Sequence, residues 1–341
     1  MTEIKRIAID TSKSVFTLHG VDDAGRAVLR RNLRRGELLK FFERLPPVEV
    51  VLEACGGSHH WGRALSAVGH QVRLIPPQYV KPFVKRSKND RNDAEAIAVA
   101  AAQPSIGSVP IKSVEQQAAA MLLSVRELLV RQRTQLVNAM RGHAAEMGVV
   151  APLGEKGFKE LQAAIATSDD AVVPAAAKQA IALLGREVER IEVRLRAIEA
   201  TLMQQHKANP LSRRLAAIPG IGPIGALNLA LRIDAGQFAS ARHFAAWLGL
   251  VPCECSTAGK QRLGGISRAG DERLRQLLVL GATAVIQHAR PGRPATSQWL
   301  LNLLSRKPRK LAAVALANKM ARIVWAMMTS GEAYRPRPVV A

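Results

Sequence analysis

Two apolar segments near the start of the chain each lead to a carboxylate, and this arrangement constrains the fold most. The first, Lys-Arg-Ile-Ala-Ile-Asp, ends at Asp10, and the second, Glu-Val-Val-Leu, runs into Glu53 and then two glycines. Short apolar runs bounded by turn residues are typical of buried strands. Two further strands are predicted between them, and a helix over 59–68 and a strand over 71–75 follow. Three antiparallel strands and then alternating helix and strand predict an α/β domain over residues 1–108.

A pair of acidic residues begins the last helix of this region. The stretch from Lys88 to Ile97 reads Lys-Asn-Asp-Arg-Asn-Asp-Ala-Glu-Ala-Ile, with Asp90 and Asp93 three residues apart. Residues at i and i+3 lie on one face of a helix, so both carboxylates can point at one spot. Asp and Asn also cap helix N-termini routinely, and capping alone would explain this window.

The positions of the other acids favour a metal site over simple capping. Asp10 and Glu53 end two strands, and the Asp90–Asp93 pair begins a helix. Carboxylates from three separate elements at one end of a sheet are what two-metal phosphoryl chemistry needs. Mg²⁺ prefers hard oxygen ligands, and two metals about 3.5–4 Å apart can hold the attacking and leaving oxygens of an in-line displacement.

The charge balance indicates a polyanionic partner. Lysine and arginine number 49 against 27 acidic residues, a formal net charge of +22. Nucleic acid is the first expectation and an anionic membrane surface the second. Aromatic residues make up only 4%, which disfavours base stacking and favours contacts to phosphates.

The same totals predict a protein of the cytoplasm that associates with the nucleoid when it acts. The three cysteines are an odd number, which argues against a disulfide framework and for a reducing compartment. The charged start of the chain does not resemble a signal peptide. No apolar run approaches about 18–20 residues, so no membrane-spanning helix is expected.

A long helix with a heptad seam is predicted in the middle region, residues 109–206. Its apolar residues recur at spacings of 3-4-3-4-3-4: Ile181, Leu184, Val188, Ile191, Leu195, Ile198 and Leu202. Such a seam predicts a helix with a helical partner. The partner can be the helix between Leu122 and Met140 of the same chain, or the same helix of a second protomer.

Residues 207–330 are predicted to be mainly α-helical, with a glycine-rich turn near their start. Leu-Ala-Ala-Ile-Pro-Gly-Ile-Gly-Pro-Ile-Gly over 215–225 is typical of a helix-hairpin-helix. Gly220 and Gly222 would let the backbone approach a ligand, and the second helix would point free N–H groups at a phosphate. The net charge favours such a DNA contact, although an αα-turn packed in the core explains the same residues. Residues 331–341 are predicted to be a tail.

The densest basic stretch of the chain lies further along this C-terminal region. Between Ser256 and Lys310 there are eleven lysines and arginines against two acids, Asp271 and Glu272. The stretch starts within a loop over 249–271 that is rich in Gly, Ser and Thr with cations interspersed. This composition is typical of a phosphate-binding segment.

The acidic motifs resemble a known family. Ile-Asp10-Thr-Ser-Lys, Leu-Glu53-Ala-Cys-Gly and Lys-Asn-Asp90-Arg-Asn-Asp93-Ala look like the RuvC-like, RNase H-fold domain of the DEDD-type insertion-sequence transposases, a group described as bridge-RNA-guided serine recombinases. The resemblance implies that these four acids bind Mg²⁺, with Mn²⁺ as a substitute. It also implies a transposase that cuts and rejoins double-stranded DNA in company with a structured non-coding guide RNA.

Residues 215–281 are similar to the second conserved domain of the same family. In that domain a loop serine attacks the DNA phosphate and holds the cleaved strand as a phosphoserine. The matching residue is Ser256, and Thr257 and Ser267 are weaker candidates. Family members commonly carry Ser-Ser-Gly-Gly-Lys here, whereas this chain has Ser-Thr-Ala-Gly-Lys ending at Lys260.

The resemblance also sets expectations for how the two regions cooperate. No His or Asp lies in the loop before Asp271 to act as a base for Ser256, and a serine hydroxyl is a weak nucleophile at its ordinary pKa. We therefore expect the metal of the N-terminal acids, from the same or another protomer, to polarise the phosphate beside Ser256. Lys260, Arg262 and Arg268 would stabilise the developing charge. Because strand exchange needs several active sites held together, the heptad seam is interpreted as joining a homo-oligomer, a dimer or tetramer.

Two other functions fit part of the sequence. A RuvC-like, junction-resolving endonuclease would use the four acids and a metal-activated water, with Ser256 a bystander. A non-catalytic DNA-binding or architectural protein would bind without cutting, and the four ordered carboxylates argue against it. Two phosphoester exchanges conserve bond energy, so no ATP is expected, and Gly220-Ile-Gly222 is too short for a nucleotide-binding loop.

Overall fold

The structure is a computed structural model that describes residues 3–85, 89–292 and 296–335. The chain divides into two compact units, Met1–Gln117 and Ala118–Ala341. Lys88 and residues 336–341 of the predicted tail lie outside the described residues.

Five strands form one mixed sheet in the first unit. In chain order they are β1 Arg6–Asp10, β2 Val15–Val21, β3 Ala27–Arg34, β4 Glu49–Glu53 and β5 Gln71–Ile75. Their order across the sheet is β3-β2-β1-β4-β5. β1, β2 and β3 pair antiparallel, whereas β4 and β5 run parallel to β1. The predicted α/β architecture of this region is confirmed, with strand bounds within one or two residues of the prediction.

Helices cover both faces of this sheet. They are α1 Leu38–Phe42, α2 Ser58–Ala67, α3 Pro77–Val80 and α4 Asp90–Ala102. Alternate residues of β1 point to opposite faces. Ile7 and Ile9 pack in one core with Trp61 of α2, while Ala8 packs in a second core with Ile97 of α4. The sheet therefore holds α2 on one side and α4 on the other.

The second unit is mainly helical. Its helices are α5 Val114–Glu146, which begins in the first unit, α6 Gly154–Thr167, α7 Ala175–Ala208, α8 Pro210–Leu215, α9 Pro223–Arg232, α10 Ala241–Trp247, α11 Glu272–Gln287, α12 Gln298–Leu304 and α13 Arg309–Ser330. A two-stranded antiparallel sheet, β6 Pro252–Glu254 and β7 Leu263–Ile266, lies within the segment predicted to be a loop.

The heptad seam on α7 is buried within a single chain. Ile181 and Val188 pack in a core with Met140 of α5, and Leu202 packs with Leu123 of α5. The guanidinium of Arg126 on α5 donates hydrogen bonds of 2.6 and 2.9 Å to the carboxylate of Glu199 on α7. The partner of the seam is therefore the hairpin helix of the same chain, and these seam residues offer no free surface to a second protomer.

The helix α6 was not predicted. Pro152 and the glycines of the segment 150–157 are typical of a break between helices, yet α6 starts at Gly154. Phe158, Leu161 and Ile165 follow at spacings of three and four and are buried, which is the pattern of an amphipathic helix. The break is thus a short turn, and the apolar periodicity after it decides the structure.

The expectation that no segment is apolar enough to span a membrane is not met by the C-terminal helix α13. It is the one helix among the described residues that is long and apolar enough, with a mean hydropathy of 1.3. Its buried residues, which include Ala317, Met320 and Val324, pack in the core of the second unit with α10 and α11. The helix is hydrophobic because it closes that core.

The turn between α8 and α9 packs tightly against α11. A Cβ added to Gly281 would lie 1.9 Å from the carbonyl oxygen of Gly220, and one added to Gly220 would lie 2.7 Å from the carbonyl oxygen of Gly281. Gly220 also has a φ of +88°, which favours glycine. Two helices joined by a tight turn were predicted here, and the packing of this turn explains the requirement for Gly220.

We predict that Gly281→Ala destabilises the protein by about 1–3 kcal/mol, because the backbone of the turn must move away. Gly225→Ala is the matched control, since a Cβ there meets only Ile221 Cγ2 at 3.7 Å. That control should be neutral or stabilising by up to about 1 kcal/mol, because alanine favours helix. Urea denaturation measures both, and equal effects of the two substitutions would contradict the role given to this contact.

Candidate active site

The parallel pairing of β1 with β4 brings two acids to one edge of the sheet. Ile9 lies opposite Leu52 in the register of these strands, so Asp10 and Glu53 follow at the same carboxyl end. Side chains alternate along a strand, which turns both acids toward the face covered by α4. Both residues are half-buried.

The start of α4 supplies two further acids and leaves them available. The N-cap is Asn89, whose side-chain Oδ1 accepts a hydrogen bond of 2.9 Å from the backbone N–H of Asn92. Asp90 and Asp93 therefore stand inside the first turn and are not the capping residues. The interpretation of this acidic pair as helix caps is therefore wrong, because Asn89 caps the helix.

Three carboxylates meet closely at this edge. Oxygens of Asp10, Asp90 and Asp93 all lie within 4.8 Å of one another. Burial, followed by the charges of Asp93, Asp90 and Glu53, raises the pKa of Asp10 to about 6. Burial and the charge of Asp93 also raise the pKa of Glu53. Glu53 is thus electrostatically part of the cluster, although it lies outside the group of three that a single ion could contact.

The donor set fits a hard divalent cation. Its ligand atoms are carboxylate oxygens, which Mg²⁺ and similar ions prefer. The neighbouring charges that raise the pKa of Asp10 and Glu53 are a repulsion that a bound cation would relieve. We refer to Asp10, Asp90, Asp93 and their neighbour Glu53 as the carboxylate cluster.

The loop of the second unit that carries Ser256 is a β-hairpin between β6 and β7. Ser256 is exposed, and its hydroxyl donates a hydrogen bond of 2.8 Å to Oε1 of Glu254. The backbone N–H of Arg262, on the opposite arm, donates to Ser256 Oγ at 3.1 Å. The hydroxyl is therefore held by an acceptor and a donor at once.

Glu254 is a candidate functional residue that the sequence interpretation missed. Only His and Asp were expected to act as a base for Ser256, and a glutamate carboxylate accepts a proton equally well. A signal was present in the sequence, because residues i and i+2 of an extended segment share one face. Glu254 and Ser256 stand two residues apart at the end of β6.

The tip of the hairpin is a tight turn in an unusual conformation. Lys260 N–H bonds to the carbonyl of Thr257 at 3.0 Å, with Ala258 at φ +50° and Gly259 at φ +77°. Alanine in this left-handed region costs roughly 1 kcal/mol or more. Ala258 stands where family members commonly carry glycine. This chain therefore has a strained residue two positions after Ser256.

The other predicted residues of this loop have different settings. Ser267 Oγ is buried without a hydrogen-bond partner among the described residues, so it is a poor nucleophile. Lys260, Arg262 and Arg268 are exposed, and Arg268 has a φ of +54°. The three cations are thus open to an anionic ligand.

The glycine-rich turn before α9 does not carry an obvious phosphate site. Gly220 and Gly222 line a cavity of about 260 Å³ together with apolar residues such as Ile221, Leu274 and Leu278. No cationic side chain lines this cavity in the described part of the chain. The position of Gly220 against Gly281 favours the alternative of a turn packed in the core, while a Cβ on Gly222 would meet open space.

Comparison with known proteins identifies both units. Residues 7–148 match the transposase family of the DEDD domain of IS110 elements, and residues 212–297 match the family described as Transposase IS116/IS110/IS902 family. The chain is 52% identical over 335 residues to a transposase of Sinorhizobium fredii designated y4pF/y4sB, covering 98% of this chain and 86% of the relative.

Further relatives give the same result. A family 20 transposase of Pseudomonas aeruginosa is 45% identical, with 98% of this chain and 99% of the relative covered. The transposase for insertion sequence element IS1111A of Coxiella burnetii is 39% identical, with coverage of 98% and 92%. The chain therefore belongs to the IS116/IS110/IS902 family of insertion-sequence transposases, enzymes that act on DNA by phosphoryl transfer, and its residues 7–148 match their DEDD domain, which has an RNase H-like α/β fold.

Proposed function

We propose that this transposase cuts and rejoins DNA by transesterification, with Ser256 as the nucleophile and Mg²⁺ held by the carboxylate cluster. The observation that carries the proposal is the convergence of Asp10, Asp90 and Asp93 within 4.8 Å. Asp90 and Asp93 are neighbours in one helical turn, but Asp10 comes from a strand, and its approach to them adds repulsion without a structural gain. Mg²⁺, or Mn²⁺ in its place, would be held by these three acids, and Glu53 beside them would serve a second ion of a two-metal site.

The metal would act as a Lewis acid on a phosphate oxygen when bound. The chain's own contribution at this edge is to hold four acids on rigid elements. β1 and β4 fix the backbone of Asp10 and Glu53, and the cap at Asn89 fixes the first turn of α4. Sites built on strands and helices keep their geometry better than sites on loops.

The hydrogen bond from Ser256 to Glu254 supports a role for serine as nucleophile. In the first exchange Ser256 Oγ forms a bond to phosphorus and its proton passes to the Glu254 carboxylate. The bond from phosphorus to the DNA oxygen breaks, and that oxygen takes up a proton. In the second exchange a DNA hydroxyl attacks the phosphoserine and releases Ser256. One phosphoester replaces another at each step, so no ATP is required.

The cations of the hairpin would stabilise this chemistry. Lys260, Arg262 and Arg268 are exposed and follow Ser256 by four, six and twelve residues. Positively charged donors aimed at a phosphate stabilise the charge that develops on its oxygens. They would also position the DNA backbone without reading its sequence.

The proposed partners are double-stranded DNA, a structured guide RNA and further copies of the chain. The net charge of +22 supports binding of both nucleic acids. An apolar stripe at heptad spacing on α5 supports self-association, since Met121, Val125 and Leu128 are 57%, 45% and 48% exposed. We therefore assign self-association to this stripe and not to the seam on α7, because the seam is covered within the chain.

A junction-resolving nuclease is the second candidate function. The carboxylate cluster lies entirely in the first unit, whereas Ser256 belongs to the second. A metal-activated water at the cluster could therefore hydrolyse DNA without the serine. The two functions differ in whether a covalent protein–DNA product forms.

We predict that Asp10→Asn stabilises the metal-free protein above pH 6. Because the pKa of Asp10 is raised to about 6, its charge disfavours folding at neutral pH, and this cost is lost as the pH falls through 6 toward 4. After allowance for solvent screening the gain is on the order of 1 kcal/mol. Mg²⁺ should raise the melting temperature of the wild type at pH 7.5, less at pH 5.5, and not that of Asp10→Asn.

Differential scanning calorimetry in EDTA and in Mg²⁺ measures these shifts. Asp23→Asn is the matched control, because the side chain of Asp23 is 87% exposed in a turn and the change should leave both effects intact. A lower melting temperature of Asp10→Asn in EDTA, or an unchanged response to Mg²⁺, would contradict the metal site.

The reaction itself is tested by a cleavage assay with Mg²⁺ on DNA carrying the element's junction, with the flanking RNA supplied. Denaturing gels should show a protease-sensitive protein–DNA adduct with the wild type. Ser256→Ala and Asp90→Asn should both abolish it, and Thr257→Ala should retain it. If Ser256→Ala still cuts DNA while Asp90→Asn does not, the protein is a hydrolytic nuclease.

Glu254→Gln is measured in the same assay. It tells whether Glu254 acts as a base or only accepts a hydrogen bond from Ser256. Glutamine can still accept the bond from Ser256 but cannot take its proton, so adduct formation should slow by roughly 10²–10⁴-fold. DNA binding should stay unchanged. A wild-type rate would leave Glu254 with an orienting role only.

A further inference from the structure

A polar groove lies on the sheet beside the carboxylate cluster. In the strand register Asp10 pairs with Thr17 of β2, and Thr17 pairs with Asn32 of β3. Two residues along, Ala8 pairs with His19, and His19 pairs with Arg30. Cross-strand partners share a face of the sheet. A row of polar side chains therefore leads from Asp10 across β2 to the edge strand β3.

This row lies on the α4 side of the sheet. Ala8 and Val21 pack in the core beneath α4, whereas Leu18 and Leu33, one residue out of phase, pack in the core beneath α2. Thr17 and His19 form the floor, with 4% and 6% of their surface exposed. Arg30 and Asn32 at the edge are exposed.

The first turn of α4 forms the other wall. Arg91 lines a cavity of about 160 Å³ together with Thr17, His19, Arg30 and Asn32, which leaves room for a phosphate group and water. Successive helical residues point about 100° apart, so one turn directs Asp90 and Asp93 to the carboxylate cluster and Arg91 to this groove.

The groove carries uncompensated positive charge. Among the described residues neither Arg30 nor Arg91 lies at salt-bridge distance from a carboxylate. The nearby acid Glu95 is engaged by Lys85, whose Nζ donates to its Oε1 at 2.8 Å. Burial lowers the pKa of His19, and Arg30 and Lys85 lower it further against the opposing charge of Glu95. A neutral imidazole still donates one N–H.

We propose that this groove binds the phosphate backbone of the nucleic-acid strand that enters the carboxylate cluster. β3 lies two strand spacings from β1, roughly 10 Å, which is the axial rise of about three nucleotides. A strand whose reactive phosphate sits at the cluster would thus place a flanking phosphate at Arg30 and Asn32. The inference rests on the proposed phosphoryl chemistry at the cluster.

The donor set favours a phosphate over other anions. Two guanidiniums, an amide, a hydroxyl and an imidazole surround one concave space, and all can donate hydrogen bonds to phosphate oxygens. The acids of the cluster lie next to this cationic groove, so a ligand that spans both must carry a cation at the cluster and negative charge at the groove. A polyanionic strand that carries metal at one phosphate and meets arginine at another meets this requirement.

The test is equilibrium binding of the full-length protein to fluorescent junction DNA across a salt series, with Ca²⁺ replacing Mg²⁺. Arg30→Ala should weaken binding about tenfold near 100 mM salt and reduce the salt slope by about 1. Arg30→Lys should keep the slope.

Arg35→Ala is the matched control. It removes the same charge from a residue outside the lining of the cavity, whose guanidinium lies over the ring of Trp61 at 5.1 Å on the opposite face of the sheet. It should leave the slope unchanged. Equal changes for Arg30→Ala and Arg35→Ala would overturn the proposal.

Neutral methylphosphonate linkages identify the phosphate and its source. Single substitutions are scanned along the DNA and, separately, along the guide RNA. A neutral linkage at one position should weaken binding by the wild type and have no effect on binding by Arg30→Ala. If this position lies in the DNA, the DNA strand occupies the groove, and if it lies in the RNA, the guide RNA does. If no such position exists, the proposal is overturned. Because no arm requires cleavage, a failure here is distinct from a failure of the proposed transesterification.

Discussion

The parallel pairing of β1 with β4 is the constraint on which the account depends. Parallel neighbours share a carboxyl edge, and the register that sets Ile9 against Leu52 places Asp10 and Glu53 there together. A slip of one residue would turn one of these acids into the opposite core. The apolar alternation of β1, with Ile7 and Ile9 under α2 and Ala8 under α4, excludes such a slip. Hydrophobic packing on two faces thus fixes the position of the charges.

The cluster gathered in this way opposes folding unless a cation is present. Carboxylates at such short range repel, as the raised pKa of the half-buried Asp10 indicates. Packing of Ala8 against Ile97 on α4 holds the helix in place, and the Asn89 cap completes its first turn. An arrangement that costs stability and is held by the surrounding core is typical of a functional site.

The sequence predicted the first unit well and the second unit less well, for physical reasons. Strands β1 to β5 are short apolar runs between turn residues, so local patterns specify them. The Glu254–Ser256 contact depends on a hairpin whose Gly- and Ser-rich composition resembles a loop. The contact of Gly220 with Gly281 joins residues far apart in the chain, and no local pattern reports it. The heptad seam correctly predicted a helical partner, but periodicity alone cannot say which helix covers Ile181.

The chemical identity of the nucleophile is the central claim, and mass spectrometry of the covalent product tests it most directly. The adduct formed on junction DNA would be digested with nuclease and trypsin, and the peptide carrying the residual nucleotide would be fragmented. The account predicts a nucleotide phosphate on the hydroxyl of Ser256, the residue whose Oγ lies 2.8 Å from Glu254. A phosphate on Thr257 or Ser267, or an active cleavage reaction that leaves no modified peptide, would contradict it.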